Sequence, residues 1–204
     1  KNLFKKNFYF SIILIMTISM GIYVISFLKK KSADEVYIGG NFSLIDQNGN
    51  PFFSQDVKKK KLIYFGYTFC PDICPFDLLK LSNFLDNNPS VSEKVQSIFV
   101  SIDPERDNIE RINEYLSNFN QNILGLTGDV QKIDDIKRKF RVYVKLNKRN
   151  SDDKDYLVDH TILFYLVNED DKYITHFRPD ELKVKLPKYL WLICRQKSKN
   201  KYYS

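Results

Sequence analysis

Hydrophobic positions along this chain fall into three patterns, and each predicts a different kind of element. The first is an unbroken apolar run: Asn7 to Leu28 carries no charged residue and is dominated by Phe, Ile, Leu, Met, Tyr and Val. A helix rising roughly 1.5 Å per residue over that run spans about 30 Å, the thickness of a bilayer's hydrocarbon core. A transmembrane anchor is expected over 7–28. The competing reading is a cleaved signal peptide, against which stand the length of the run, the three lysines that follow it and the lack of a small-x-small cleavage site. The second pattern is alternation: Asn41 to Phe52 alternates apolar and polar residues around Asn48-Gly49, a hairpin signature. The third is a series of short apolar runs between helical periodicities. It predicts a buried strand over 62–67, a helix over 75–87 with Pro75 at its first position, a strand over 97–102, and helices over 107–119 and 130–140. Strands over 142–146, 160–167 and 173–177 follow, with a polar loop at 147–155, a turn at 168–171 and a closing helix over 181–193. The charge run Lys58 to Lys61 reads as a solvated loop ahead of the first buried strand.

Strands that alternate with helices argue an α/β fold, a mixed central sheet flanked by helices and here preceded by one transmembrane helix. The order hairpin, strand, turn, helix, strand, helix, antiparallel hairpin, helix is a thioredoxin-like plan. Three segments are expected: a basic arm and anchor over 1–31, the thioredoxin-like domain over 32–194, and a basic tail over 195–204.

Charge sharpens this division. Of the net +7, residues 1–31 contribute six lysines and no acid, and Arg195, Lys197, Lys199 and Lys201 contribute four more, leaving 22 basic against 25 acidic residues between them. A nucleic-acid role needs a basic face on the domain itself, so a surplus confined to the ends excludes it in favour of membrane flanks. The short Lys1, Lys5, Lys6 arm suits the cytoplasmic side. With 43% hydrophobic and 15% aromatic residues, the chain can bury a core and is no disordered tract.

The candidate chemistry lies in Cys70-Pro71-Asp72-Ile73-Cys74-Pro75, at the turn from the first buried strand into the first helix. A helix N-terminus concentrates unpaired N–H donors and partial positive charge, so a thiol there ionises readily, and the thiolate both attacks disulfides and binds metal. Two features depart from a thioredoxin. Three residues separate the cysteines, and no proline occurs between 105 and 178, where a thioredoxin places its cis-proline opposite the dithiol. His160 stands at that place, within Leu157-Val158-Asp159-His160-Thr161. Two thiolates on one side of a turn and an imidazole from a distant strand make a three-ligand Cys2His set, suited to Cu(I) and, with further ligands or water, to Cu(II). Zinc accepts the same atoms, but a structural zinc site closes with a fourth protein ligand, and none is found. The plainer reading of His160 is a core or surface histidine.

Tyr64 to Pro75, Val100-Ser101-Ile102-Asp103-Pro104-Glu105-Arg106-Asp107, Gly125-Leu126-Thr127-Gly128 and Asp155 to Thr161 together resemble the Sco/SenC family of copper proteins. The resemblance runs from about residue 36 to 180. It implies a membrane-tethered metallochaperone, not an enzyme, that takes copper from an upstream donor and serves the binuclear copper centre of cytochrome c oxidase subunit II. The ligands it implies are Cys70, Cys74 and His160. Phe69 stands where many relatives have a histidine that is not a ligand. The expected site is the periplasmic face of a bacterial inner membrane, or alternatively the intermembrane-space face of a mitochondrial one.

A reading of another class keeps the dithiol but not the histidine: a thiol-disulfide oxidoreductase that reduces the cysteines of the same partner without carrying metal. A peroxidase lacks the Thr or Ser and Arg it would need around a thiolate. Asp107 is expected to cap the helix that follows it and Pro104 to form a turn. Asp72 and Asp159 are candidates for tuning ligand protonation. His176 reads as a surface or core residue, and Cys194 as a packed or idle thiol.

Overall fold

The computed structural model describes residues 14–26 and 37–190. Residues 14–26 are helical and exposed along their length, within a unit, Lys1–Tyr37, distinct from Ile38–Ser204. Among the described residues no helix is long and apolar enough to cross a membrane. The expected span over 7–28 extends beyond them at both ends, and Cys194 and the basic tail also lie outside them.

In the larger unit the Asn-Gly turn forms as its chemistry requires. Gly49 takes φ 86°, and Asp46 Oδ1 accepts the N–H groups of Asn48 and Asn50 at 2.8 Å. The hairpin strands are β1 (Ser43–Asp46) and β2 (Pro51–Phe53). The continuous apolar runs become the central strands β3 (Lys60–Gly66) and β4 (Val95–Ser101), paired in parallel and covered on both faces. Strand β5 (Ile123–Thr127), not expected from the sequence, extends the parallel pairing beyond β4 and joins the hairpin through β1. Helices α1 (Ile73–Asn87), α2 (Pro89–Lys94), α3 (Ile109–Leu116) and α4 (Val130–Phe140) connect these strands.

The expected strand over 160–167 is in fact two. Strand β7 (Leu157–His160) pairs with β6 (Val144–Asn147) in a separate two-stranded ribbon, whereas β8 (Phe164–Val167) joins the main sheet. Thr161 marks the break, its N–H donating to Tyr143 O at 3.1 Å and its hydroxyl accepting Tyr143 N–H at 3.0 Å. Strand β9 (Tyr173–Phe177) closes a sheet of order β2-β1-β5-β4-β3-β8-β9, and residues 182–190 are helical.

Two local expectations are corrected. Asn108, not Asp107, caps α3, its side chain accepting Arg111 N–H at 2.8 Å; Asp107 is buried instead. Lys60 and Lys61 are not a solvated loop but the first residues of β3. Lys61 is fully buried with Nζ 2.7 Å from the equally buried Asp171 Oδ1. The other Asp171 oxygen accepts the Ser54 hydroxyl at 2.6 Å, and its carbonyl accepts Gly40 N–H at 2.8 Å. The cation enters the sheet because a hydrogen-bonded carboxylate waits there. Replacing one member strands the other, so Lys61→Met should lower the unfolding free energy by about 3–5 kcal/mol in urea titration. Lys60→Met, which removes a 3.1 Å pair with the part-exposed Glu169, should cost about 1 kcal/mol or less. Equal losses would contradict this assignment.

Candidate functional site

Strand β3 delivers the chain to the dithiol turn through Gly66 and Tyr67. Gly66 is required by close approach: a Cβ there would lie 3.1 Å from Cys74 Sγ and 2.9 Å from the Phe99 ring. Helix α1 begins at Ile73, two residues earlier than expected, which puts Cys74 inside its first turn and Pro75 third, still ahead of the first position whose N–H needs a helical partner. Cys70 lies just before the helix, and Cys74 N–H donates to its sulfur at 3.4 Å.

The two thiols are thereby made unequal. Cys70 is part-exposed and Cys74 is buried. A hydrogen bond from the Cys74 side chain, with help from the Cys74 and Asp72 N–H groups and the Tyr67 side chain, pulls Cys70 down to about 5 against partial burial. Cys74 moves the opposite way, held protonated by its bond to Cys70, by burial and by the adjacent thiolate.

His160, the last residue of β7, brings Nε2 to 3.4 Å from Cys74 Sγ. Its Nδ1 lies 3.0 Å from Thr161 O, and since a carbonyl only accepts, Nδ1 is the donor there and in the neutral ring the Nε2 lone pair faces Cys74. The imidazole is therefore oriented by Thr161 O. Asp159 and Asp72 are exposed, and among the described residues neither side chain hydrogen-bonds it. Tyr64 and Tyr67 stand edge-on to the imidazole, with centroids 6.4 and 6.0 Å away. Cys74 is thus in contact with both Cys70 and His160, while among the described residues no group of three His, Cys, Asp or Glu side chains that could hold a metal ion is found. His176 is exposed on β9 and hydrogen-bonded to the Tyr173 hydroxyl rather than to this cluster.

Further side chains, beyond those expected to bind or tune the ion, support the site. The Tyr67 hydroxyl accepts Val158 N–H at 3.2 Å, tying β7 to the dithiol turn. Asp107 accepts both the N–H (3.0 Å) and hydroxyl (2.6 Å) of Thr68 and the hydroxyl of Ser101 (2.6 Å). Asp103 accepts Tyr156 OH and Arg106 Nε, each at 2.6 Å. Tyr64 OH donates to buried Asp77 at 3.0 Å. The one available clue was Gly66, since glycine inside an apolar strand marks a close approach.

The sequence profile of SCO1/SenC matches residues 30–189. Protein sco1 of Schizosaccharomyces pombe is 49% identical over 144 residues, which are 69% of this chain but only 54% of that protein, so the match spans about half the yeast relative. The SCO2-like protein of Rickettsia conorii is 39% identical over 158 residues, 77% of each chain. A solved structure of Bradyrhizobium japonicum ScoI with copper bound superposes with a TM-score of 0.66 at 40% identity, over 74% of this chain and 99% of that one. The fold, the dithiol turn and these matches agree: the chain belongs to the SCO1/SenC family.

Proposed function

We propose that this protein is a membrane-anchored copper chaperone that carries its ion on Cys70, Cys74 and His160 and delivers it to the binuclear copper centre of cytochrome c oxidase subunit II. The observation that carries the reading is the 3.4 Å approach of His160 Nε2 to Cys74 Sγ beside a Cys70 thiolate. Two sulfurs and an imidazole nitrogen with a free lone pair fit copper in both oxidation states. Residues 7–28 supply the anchor, residues 32–194 the copper domain and residues 195–204 a basic tail. The domain faces the periplasm from a bacterial inner membrane, with the mitochondrial intermembrane space as the alternative.

Loading is an exchange of ligands. The exposed Cys70 thiolate meets the donor's ion first. Cys74 then binds with release of its proton, and His160 Nε2 adds without proton loss. Delivery reverses the order as the partner's thiolates replace these sulfurs.

The inequality of the thiols also supports the second reading, a thiol-disulfide oxidoreductase. There the Cys70 thiolate attacks a partner disulfide, and Cys74, after losing its proton, attacks Cys70 of the mixed disulfide. The partner leaves with two thiols and this chain with one disulfide. Only the copper reading needs His160.

Titration of the reduced, detergent-solubilised protein should give one Cu(I) or Cu(II) per chain. Cys70→Ser/Cys74→Ser should abolish binding, while His160→Ala should weaken Cu(II) by about tenfold or more and leave the circular dichroism spectrum unchanged. Unaltered Cu(II) binding in His160→Ala would remove the histidine from the site, and a wild type that took up no copper yet rapidly reduced a test disulfide would favour the oxidoreductase.

The pH dependence follows from the lowered Cys70 value. The thiolate is present above it and lost as pH falls through about 5. Alkylation of the reduced, copper-free protein by iodoacetamide, corrected for the reagent's own pH dependence, should therefore be level from about pH 6.5 upward and fall with a midpoint near 5, confined to Cys70 by mass spectrometry. A midpoint of about 8.5, that of an ordinary cysteine, would contradict it.

A further inference from the structure

The two ligand-bearing segments are bridged by a row of alternating cations and rings. The Arg111 guanidinium lies 4.6 Å from the Phe69 ring centroid, and Arg106 lies 4.8 Å from the same ring. Arg106 is also 3.5 Å from the Tyr156 ring, and Lys148 Nζ is 4.5 Å from that ring. Phe69 immediately precedes Cys70, and Tyr156 lies four residues before His160. Arg106 is thus the one residue of the row in contact with both segments. Its Nη1 donates to Lys154 O at 3.0 Å and Tyr156 O at 2.9 Å, and its Nε is fixed by Asp103 at 2.6 Å. Its Nη2 is buried without an acceptor among the described residues, so on that side the guanidinium meets its neighbours through ring faces.

We propose that Arg106 is a positioning residue for the copper site: it sets how closely the β6–β7 ribbon, and with it His160, stands to the dithiol turn. The functional consequence rests on the copper reading. Both sulfurs belong to the turn and first coil of α1, which are built apart from the ribbon. The imidazole arrives only on the ribbon. Cu(I) takes all three ligands but draws most of its binding from the soft thiolates, whereas Cu(II) depends more on the imidazole, so loosening the ribbon should weaken Cu(II) much more than Cu(I). Lysine keeps the charge but cannot hold two carbonyls and an aromatic face with one planar fork, which makes Arg106→Lys the informative change.

The test uses the full-length, reduced protein. In its copper-free form, hydrogen exchange at the Val158 amide, which bonds Tyr67 OH, should quicken by about tenfold in Arg106→Lys, while the amides of β4 stay unchanged. In the copper-loaded form, Cu(II) affinity should fall by about tenfold or more and Cu(I) affinity by less than about threefold. Unchanged Val158 exchange, or equal loss of both oxidation states, would overturn the proposal. If β4 exchange also rose, Phe69→Leu decides, since its half-exposed ring can be removed without opening the core. The same selective pattern, weaker, supports the role, and no change refutes it. A wild type that bound no copper would defeat the copper reading, while the exchange measurement would still decide whether Arg106 positions the ribbon.

Discussion

Residues 70, 74 and 160 can meet only if two separately built pieces, the first turn of α1 and the β6–β7 ribbon, are held against each other. The hydrogen bond from Val158 N–H to Tyr67 OH does this most directly, because Tyr67 touches everything that matters. Its ring stands edge-on to His160, and its hydroxyl supports the Cys70 sulfur. Burial pushes the Tyr67 phenol up to about 12, so at neutral pH it keeps the proton with which it can donate to a thiolate. A residue that accepts from one segment and donates to the other is a hinge pin between them.

Beneath this contact lie two buried carboxylates, each supplied with hydrogen-bond donors. Asp107 takes three donors from Thr68 and Ser101, fixing the turn two residues before Cys70. Asp103 takes Tyr156 and Arg106, fixing the approach to β7. A buried carboxylate is costly when alone and rigidifying when satisfied, so these acids hold the scaffold in one arrangement. On that rigid base the two thiols differ in hydrogen bonding and in exposure, in a way that chemistry can use. The accessible one is a thiolate, and the buried one keeps its proton until something arrives to replace it.

Much of this plan was legible in the sequence because it depends on local chemistry. Asn48-Gly49 demands a hairpin turn, the run from Leu62 to Phe65 can only be a covered strand, and two thiols ahead of a helix point to an N-terminal turn. What escaped notice depends on distant partners. Lys61 looks solvated until Asp171, over a hundred residues later, is seen facing it. Asp107 has the composition of a helix cap, yet it is claimed by Thr68, leaving the cap to Asn108. Strand β5 is short and contains a glycine that lets Ile112 and Leu116 of α3 come close, so its apolar pattern is thin. The break at Thr161 is invisible in a run of β-forming residues, because it is set by Tyr143 on another strand. The nearness of Cys74 to Cys70 and His160 was nonetheless reachable, since these residue types are scarce: the chain has three cysteines and two histidines.

The most direct measurement is X-ray absorption at the copper edge on the reduced protein loaded with one equivalent of Cu(I). A shell of two sulfurs and one nitrogen, with outer scattering from an imidazole ring that disappears in His160→Ala, is the predicted result. A shell of sulfur alone, or imidazole scattering that survives that substitution, would contradict a site built from Cys70, Cys74 and His160.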